Sequence, residues 1–170
     1  SGSGKSTLIK LLLKELDPTT EKYAARLGAD CAFFIEAEPA YAEGIGDELM
    51  PVDGPKGNLN GYYLAIVKPD IAVSTKEAYA AITPTATSKS CREIVRQPIE
   101  TWKEELVNDF EAPIFKLHPE LAEIKEKLYQ QGAKYAAMSG SGSALFGIFE
   151  AEPNGLKEMF QDCFCEVLKL

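Results

Sequence analysis

Histidine and tryptophan are each present once in the 170 residues, as His118 and Trp102. A single histidine excludes a histidine-rich metal centre, and His118, in Leu117-His118-Pro119-Glu120, reads as the last residue of a loop before a helix. Basic residues are also scarce. Eighteen Lys plus Arg stand against 26 Asp plus Glu, a net charge of −8, which argues against nucleic acid or an anionic membrane as a partner, because both need a basic face. No apolar run approaches the roughly 20 residues of a membrane span. The leading Ser1-Gly2-Ser3-Gly4-Lys5 lacks the apolar region of a signal peptide, so a cytoplasmic location is expected. The four cysteines, Cys31, Cys91, Cys163 and Cys165, contain no Cys-x-x-Cys pair and are expected as free, reduced thiols.

What is present suits an ordinary globular protein. Hydrophobic residues make up 45% and charged residues 26%, enough to bury a sizeable core. Leu8, Ile9, Leu12, Leu13 and Leu16 form the stripe of an amphipathic helix that Asp17-Pro18 ends. Thr20 caps a second helix through Leu27, with Gly28 as its stop, and Ala32-Phe33-Phe34-Ile35 reads as a buried strand. A turn-rich stretch from Pro51 to Gly61 separates these from the clearest strand, Tyr62 to Val67. Ser74 with Glu77 is a capping-box signature for a helix through Ala81, and Thr83 to Ser90 reads as loop. Pro98, Ile99, Trp102 and Leu106 suggest a helix that Asn108 to Pro113 breaks or bends. A stronger helix opens at Pro119, carries Leu121, Ile124 and Leu128, and stops at Gly132. Tyr135 to Met138 and Ala144 to Phe149 read as strands around the loop Ser139 to Ser143; a short helix over 153–160 and a strand from Cys163 to Leu168 follow. This mixture predicts an α+β fold, a mostly antiparallel sheet with helices on one face.

Two glycine loops carry the candidate chemistry. Gly2, Ser3, Gly4, Lys5, Ser6 and Thr7 run directly into a leucine-rich helix. Glycines let backbone N–H groups approach phosphate oxygens, the helix start adds partial positive charge, Lys5 reaches outer phosphates, and Ser6 is a candidate magnesium ligand. This stretch resembles the Walker A loop of P-loop transporter ATPases, and implies ATP and magnesium as cofactors. A flexible glycine-serine leader is the structural alternative. No strand precedes the loop and no apolar strand ends in a magnesium-binding aspartate, so a complete P-loop ATPase is not expected.

From about Tyr23 to Leu170 the motifs are Ala25-Arg26-Leu27-Gly28-Ala29-Asp30-Cys31-Ala32-Phe33-Phe34, Gly44-Ile45-Gly46-Asp47, Val67-Lys68-Pro69-Asp70-Ile71-Ala72-Val73-Ser74-Thr75 and Met138-Ser139-Gly140-Ser141-Gly142-Ser143. In this order they resemble the galactokinase, homoserine kinase, mevalonate kinase and phosphomevalonate kinase group, called GHMP. Within that group the resemblance is to members acting on a cytidyl diphospho-alcohol of non-mevalonate isoprenoid biosynthesis. It implies a ferredoxin-like GHMP C-terminal domain over 23–170, preceded by a phosphate-loop-like segment and helix over 1–22. It further implies Asp30 as the base that accepts the substrate hydroxyl proton, Thr75 as a substrate contact, Tyr79 as a ring stacking on cytosine, and Ser139, Gly140, Ser141 and Gly142 as a loop lining the site. Each has a structural alternative: Asp30 as a turn residue after Gly28, Thr75 as a cap, Tyr79 as core, and Ser139 to Gly142 as a plain tight turn.

The family's own N-terminal glycine loop and lysine are absent from this sequence, which suggests a fragment or a composite. The expected function is therefore an ATP-dependent small-molecule kinase, with a noncatalytic nucleotide-binding module and an inert α+β domain as the other readings. The stripe Leu8, Ile9 and Leu12, without a sheet to cover it, would leave an apolar patch that favours a homodimer.

Overall fold

The computed structural model describes residues 40–44, 48–52, 59–82 and 89–170. The chain divides into two compact units, 1–57 and 58–170. The boundary expected at 22/23 lies outside the described residues, as do the two leading helices and the strand expected over 32–35.

In the first unit, β1 (Ala40–Glu43) and β2 (Glu48–Pro51) form an antiparallel hairpin with Ala40 opposite Pro51 and Glu43 opposite Glu48. Gly44 leaves β1 at φ 67°, a backbone region that side chains disfavour. Nothing in the alanine- and glutamate-rich sequence announces these strands, since both residue types are weak strand formers.

The second unit is built on a four-stranded sheet in the order β4-β5-β3-β6, with every neighbouring pair antiparallel. Its elements run β3 (Tyr63–Pro69), α1 (Thr75–Ala81), α2 (Cys91–Ile94), a 3-10 turn (Ile99–Thr101), α3 (Trp102–Glu105), α4 (Glu111–Leu117), α5 (Pro119–Gln130), β4 (Tyr135–Met138), β5 (Leu145–Phe149), α6 (Leu156–Met159) and β6 (Cys163–Lys169). Leaving aside the short helices between, this is the β-α-β-β-α-β order of a ferredoxin-like fold. β3 is central, with Ala65 opposite Gly147 of β5 on one side and Val167 of β6 on the other.

Because side chains alternate across a strand, the sheet separates two apolar cores. On one face Ala65, Val67, Ala136, Met138, Leu145 and Phe149 meet Ala78, Ile114, Leu121, Leu128 and Leu156 from α1, α4, α5 and α6. Burying each of the fully enclosed leucines contributes about 1.5–3 kcal/mol. The long helices lie on this single face. The opposite face adds a smaller cluster in which Tyr135, Ala137 and Ile148 meet Ile94, Ile99 and Trp102 from α2, the 3-10 turn and α3. Gly147 faces the larger core. A Cβ there would stand 2.9 Å from the Phe149 ring and 3.4 Å from Leu128 Cδ2, so the missing side chain is what lets α5 and Phe149 close over β5.

α5 follows its sequence signals closely. Pro119 opens it, where the absent N–H has no intrahelical partner to lose. Leu121, Ile124 and Leu128 face the core. At its end Ala133 N–H donates to Leu128 O at 3.1 Å and Gly132 N–H to Tyr129 O at 2.9 Å, a Schellman closure that Gly132 permits at φ 94°. His118 links α4 to α5, as expected.

One boundary gains detail and one expectation requires correction. Ser90, the last loop residue, also caps α2: its hydroxyl accepts from Glu93 N–H at 3.3 Å while Ser90 N–H donates to Glu93 Oε2 at 2.7 Å. The stretch 108–113 was read as a break. The helix does stop before it, at Leu106, but Pro113 lies inside α4. It occupies the first turn, where no i−4 carbonyl awaits its missing N–H.

Candidate functional site

The turn between β4 and β5 is held by its own backbone. Ser139 N–H donates to Ala144 O at 2.8 Å and Gly142 N–H to Ser139 O at 3.0 Å. Gly140 and Gly142 sit at φ 55° and 91°. A Cβ on Gly140 would meet nothing within 4 Å, whereas one on Gly142 would stand 2.7 Å from Met138 Sδ. The turn therefore offers bare backbone to its outside at Gly140 and packs tightly inward at Gly142. Ser143, next in sequence, is 4% exposed, and its hydroxyl has no hydrogen-bond partner among the described residues.

Thr75, the first residue of α1, approaches this turn: its Oγ1 lies 3.4 Å from Ser141 Oγ. Each hydroxyl has one hydrogen and two lone pairs, so at this long spacing both keep capacity for a third polar group. Tyr79 lies one turn further along α1 and is 65% exposed. The core alternative for Tyr79 is thereby excluded. Its ring meets Phe110 edge-on, with centroids 5.0 Å apart and planes at 79°, a favourable arrangement of aromatic quadrupoles.

Residues the sequence reading passed over hold this cluster in place. Asn108 Nδ2 donates to Met138 O at 2.7 Å and to Gly140 O at 2.8 Å, and its Oδ1 accepts from Phe110 N–H at 2.9 Å. Glu111 Oε1 accepts from Met138 N–H at 2.7 Å, while its Oε2 pairs with Lys125 Nζ at 2.6 Å. Both backbone groups of Met138, the last residue before the turn, are thus gripped by side chains. Glu111 is 7% exposed, and a carboxylate so enclosed persists because a cation and a backbone N–H both serve it. The only sequence trace of this arrangement is a helix break carrying Asn two positions before an aromatic, the spacing of an Asx turn. An open cleft of about 520 Å³ adjoins Asn108, between Ala81 at the end of α1 and Ala112, Lys116 and Leu117 of α4.

The structure thus brings together Thr75, Ser141 and the turn Ser139 to Gly142, with Tyr79 on the same helix as Thr75. Asp30 and the loop Gly2, Ser3, Gly4, Lys5, Ser6 and Thr7 lie outside the described residues. No three His, Cys, Asp or Glu side chains gather into a metal-binding group among the described residues. Nor is any described helix long and apolar enough to cross a membrane.

Residues 91–164 match the family described as GHMP kinases C terminal. Their fold is that of a GHMP kinase C-terminal domain. The turn at 139–142 and both Asn108 and Glu111 fall within that domain. Over 146 residues, covering 85% of this chain and 52% of the relative, the sequence is 52% identical to 4-diphosphocytidyl-2-C-methyl-D-erythritol kinase of Parabacteroides distasonis. The kinase of the same name from Bacteroides fragilis is 46% identical, with 96% of this chain and 61% of the relative covered. A crystal structure of 4-(cytidine 5'-diphospho)-2C-methyl-D-erythritol kinase superimposes with a TM-score of 0.69 at 27% identity, over 92% of this chain and 58% of that one. The chain therefore spans a little more than half the length of the kinases it matches. The domain's α+β fold and antiparallel sheet agree with the sequence expectation.

Proposed function

We propose that the chain carries the substrate-side part of an ATP-dependent kinase that phosphorylates a hydroxyl of 4-diphosphocytidyl-2-C-methyl-D-erythritol in isoprenoid biosynthesis. The observation carrying this reading is the 52% identity to the Parabacteroides distasonis kinase across 85% of the chain. The site geometry supports it: a glycine turn with open backbone stands beside two hydroxyls and an exposed aromatic ring, suited to phosphate oxygens on one side and a flat base on the other.

In this reading Thr75 and the Ser139, Gly140, Ser141 and Gly142 backbone hold the diphospho-alcohol, and Tyr79 stacks on cytosine. Asp30 takes the proton of the attacking hydroxyl, which makes the oxygen a better nucleophile. Gly2, Ser3, Gly4, Lys5, Ser6 and Thr7 face the phosphates of ATP, which supplies the transferred phosphoryl group. Ser6 would hold a magnesium ion that, when bound together with ATP, would neutralise phosphate charge. Such chemistry asks for positioning and neutralised charge more than for covalent help. Residues 1–22 form the phosphate-loop segment and 23–170 the GHMP kinase-like part. The Bacteroides fragilis alignment over 96% of the chain runs into that leading segment, which favours one continuous kinase chain over a composite with a transporter ATPase loop. The partners are small molecules and a second copy of the chain, in the cytoplasm.

Calorimetric titration with Mg·ATP and then with the diphosphocytidyl alcohol tests the reading. Saturable binding of both is expected, with Lys5→Ala weakening ATP and Asp30→Asn ending turnover while leaving affinity within a few-fold. Failure of the alcohol to bind overturns the reading, and binding of ATP without turnover leaves the noncatalytic nucleotide-binding module.

A further inference from the structure

We propose that Asn108 is the positioning residue that locks the phosphate side and the base side of the site into one geometry. The inference rests on the kinase reading for what the site binds, but its structural core stands on three hydrogen bonds from one side chain. Asn108 Nδ2 holds Met138 O and Gly140 O, at 2.7 and 2.8 Å. These carbonyls flank Ser139 at the entrance to the glycine turn. Its Oδ1 holds Phe110 N–H at 2.9 Å, and the Phe110 ring meets Tyr79 at 5.0 Å. One planar carboxamide thus fixes the turn with its donor end and the ring pair with its acceptor end. Because the amide is rigid, neither end can shift without moving the other.

The two hydrogens on Nδ2 are both used, on carbonyls whose residues lie 30 and 32 positions away in the chain. An asparagine needed only to turn the chain would use Oδ1 alone, as in an ordinary Asx turn. The long-range donor bonds are the part that a turn does not require. They also explain why Gly140 keeps its backbone outward: with its carbonyl tied to Asn108 the peptide following Gly140 cannot rotate freely, so the bare face stays presented to a ligand.

Substitution separates the two ends. Asn108→Asp keeps the acceptor for Phe110 N–H and replaces the donor with an oxygen that faces two carbonyls, so the turn is released and the ring pair is kept. Asn108→Ala releases both. Amide hydrogen exchange on the 170-residue chain is the first readout. In Asn108→Asp the Ser139 and Gly142 amides should exchange at least tenfold faster with Phe110 unchanged, and in Asn108→Ala all three should accelerate. The Ala65 and Gly147 amides of the sheet should stay within twofold in both. The second readout is affinity. CMP, which probes the base side, should bind Asn108→Asp as it binds the unsubstituted chain and lose affinity about tenfold in Asn108→Ala. The diphosphocytidyl alcohol should weaken about tenfold in both.

Exchange at Ser139 and Gly142 within twofold of the unsubstituted chain in Asn108→Asp overturns the proposal, as does equal CMP loss in the two variants. Should Asn108→Ala fail to fold, Asn108→Asp alone still decides by the contrast between Phe110 and Gly142. If the unsubstituted chain binds neither ligand, the kinase reading fails and the exchange pattern alone decides whether Asn108 sets the turn.

Discussion

The Tyr129 hydroxyl serves both backbone groups of Ala136, accepting its N–H at 3.1 Å and donating to its carbonyl at 3.2 Å. Ala136 lies in β4, an edge strand of the sheet, whose outer backbone would otherwise be open to pairing with another chain. Two positions on, Glu111 and Asn108 do the same for Met138. Burial pushes the Tyr129 hydroxyl above its ordinary range, so it keeps the proton it donates. Tyr129→Phe should cost about 1–3 kcal/mol by leaving the two Ala136 groups unserved. Urea denaturation measures this, and a loss below about 0.5 kcal/mol would mean that water takes over the role of the hydroxyl.

The two glycines of the turn should differ in their tolerance of a methyl group. Gly142→Ala combines φ 91° with a contact at 2.7 Å to Met138 Sδ, and Met138 is 2% exposed, so the sulfur has little room to retreat. Gly140→Ala meets only the backbone preference. We expect about 1–2 kcal/mol for Gly140→Ala from conformation alone, and distinctly more for Gly142→Ala. Thermal melting of the pair decides it, and equal costs would contradict the packing argument.

Acid stability should carry a contribution from Glu93. The Ser90 backbone N–H, then the Ser90 hydroxyl, hold its carboxyl below the ordinary value of 4.5. A carboxyl depressed on folding stabilises the native state above its unfolded value, and that stabilisation disappears as pH falls through the folded value. Stability measured from pH 6 downward should therefore fall less steeply below about pH 4.5 in Glu93→Gln than in the unsubstituted chain. Parallel curves would show that the capping box is too solvated to couple to pH.

Thiol reactivity should follow burial. Cys91 is exposed, whereas Cys163 and Cys165 are partly buried, and burial pushes both of the latter thiols up. Since the thiolate is the reacting form, alkylation at pH 8 followed by peptide mapping should label Cys91 several-fold faster than the two β6 cysteines. Equal rates at the three positions would mean that β6 separates from the sheet on the timescale of labelling.

Much of the second unit can be read directly from its residues. β3, α5, β4, β5 and β6 lie within a few residues of where periodicity and punctuation put them, because each signal is local: Leu121, Ile124 and Leu128 on one helix face, Gly132 after it, and alternation in the strands. α2 and α4 were less legible because a single turn of helix has no period to detect and Pro113 suggests a break until its place in the first turn is known. The turn at 139–142 was visible as glycine and serine. Its fastening to Asn108 was not, because that bond joins positions 30 residues apart and depends on the sheet already being formed. Thr75 and Ser141, 66 positions apart, meet for the same reason, so composition alone left Thr75 as either cap or contact.

The sheet order also sets a timetable for synthesis. β3 stands at the centre, yet one of its two neighbours, β6, pairs with it from Tyr63 opposite Lys169 to Pro69 opposite Cys163. A ribosome working from the N-terminus delivers β3 long before β6. Until β5 and then β6 emerge, the nascent chain holds a mostly apolar seven-residue strand with first both flanks and then the β6 flank unclaimed, open to mispairing with any other extended segment nearby. A message truncated before residue 163 would release a product frozen in that state, and quality-control proteases rather than substrate would be the first to find it.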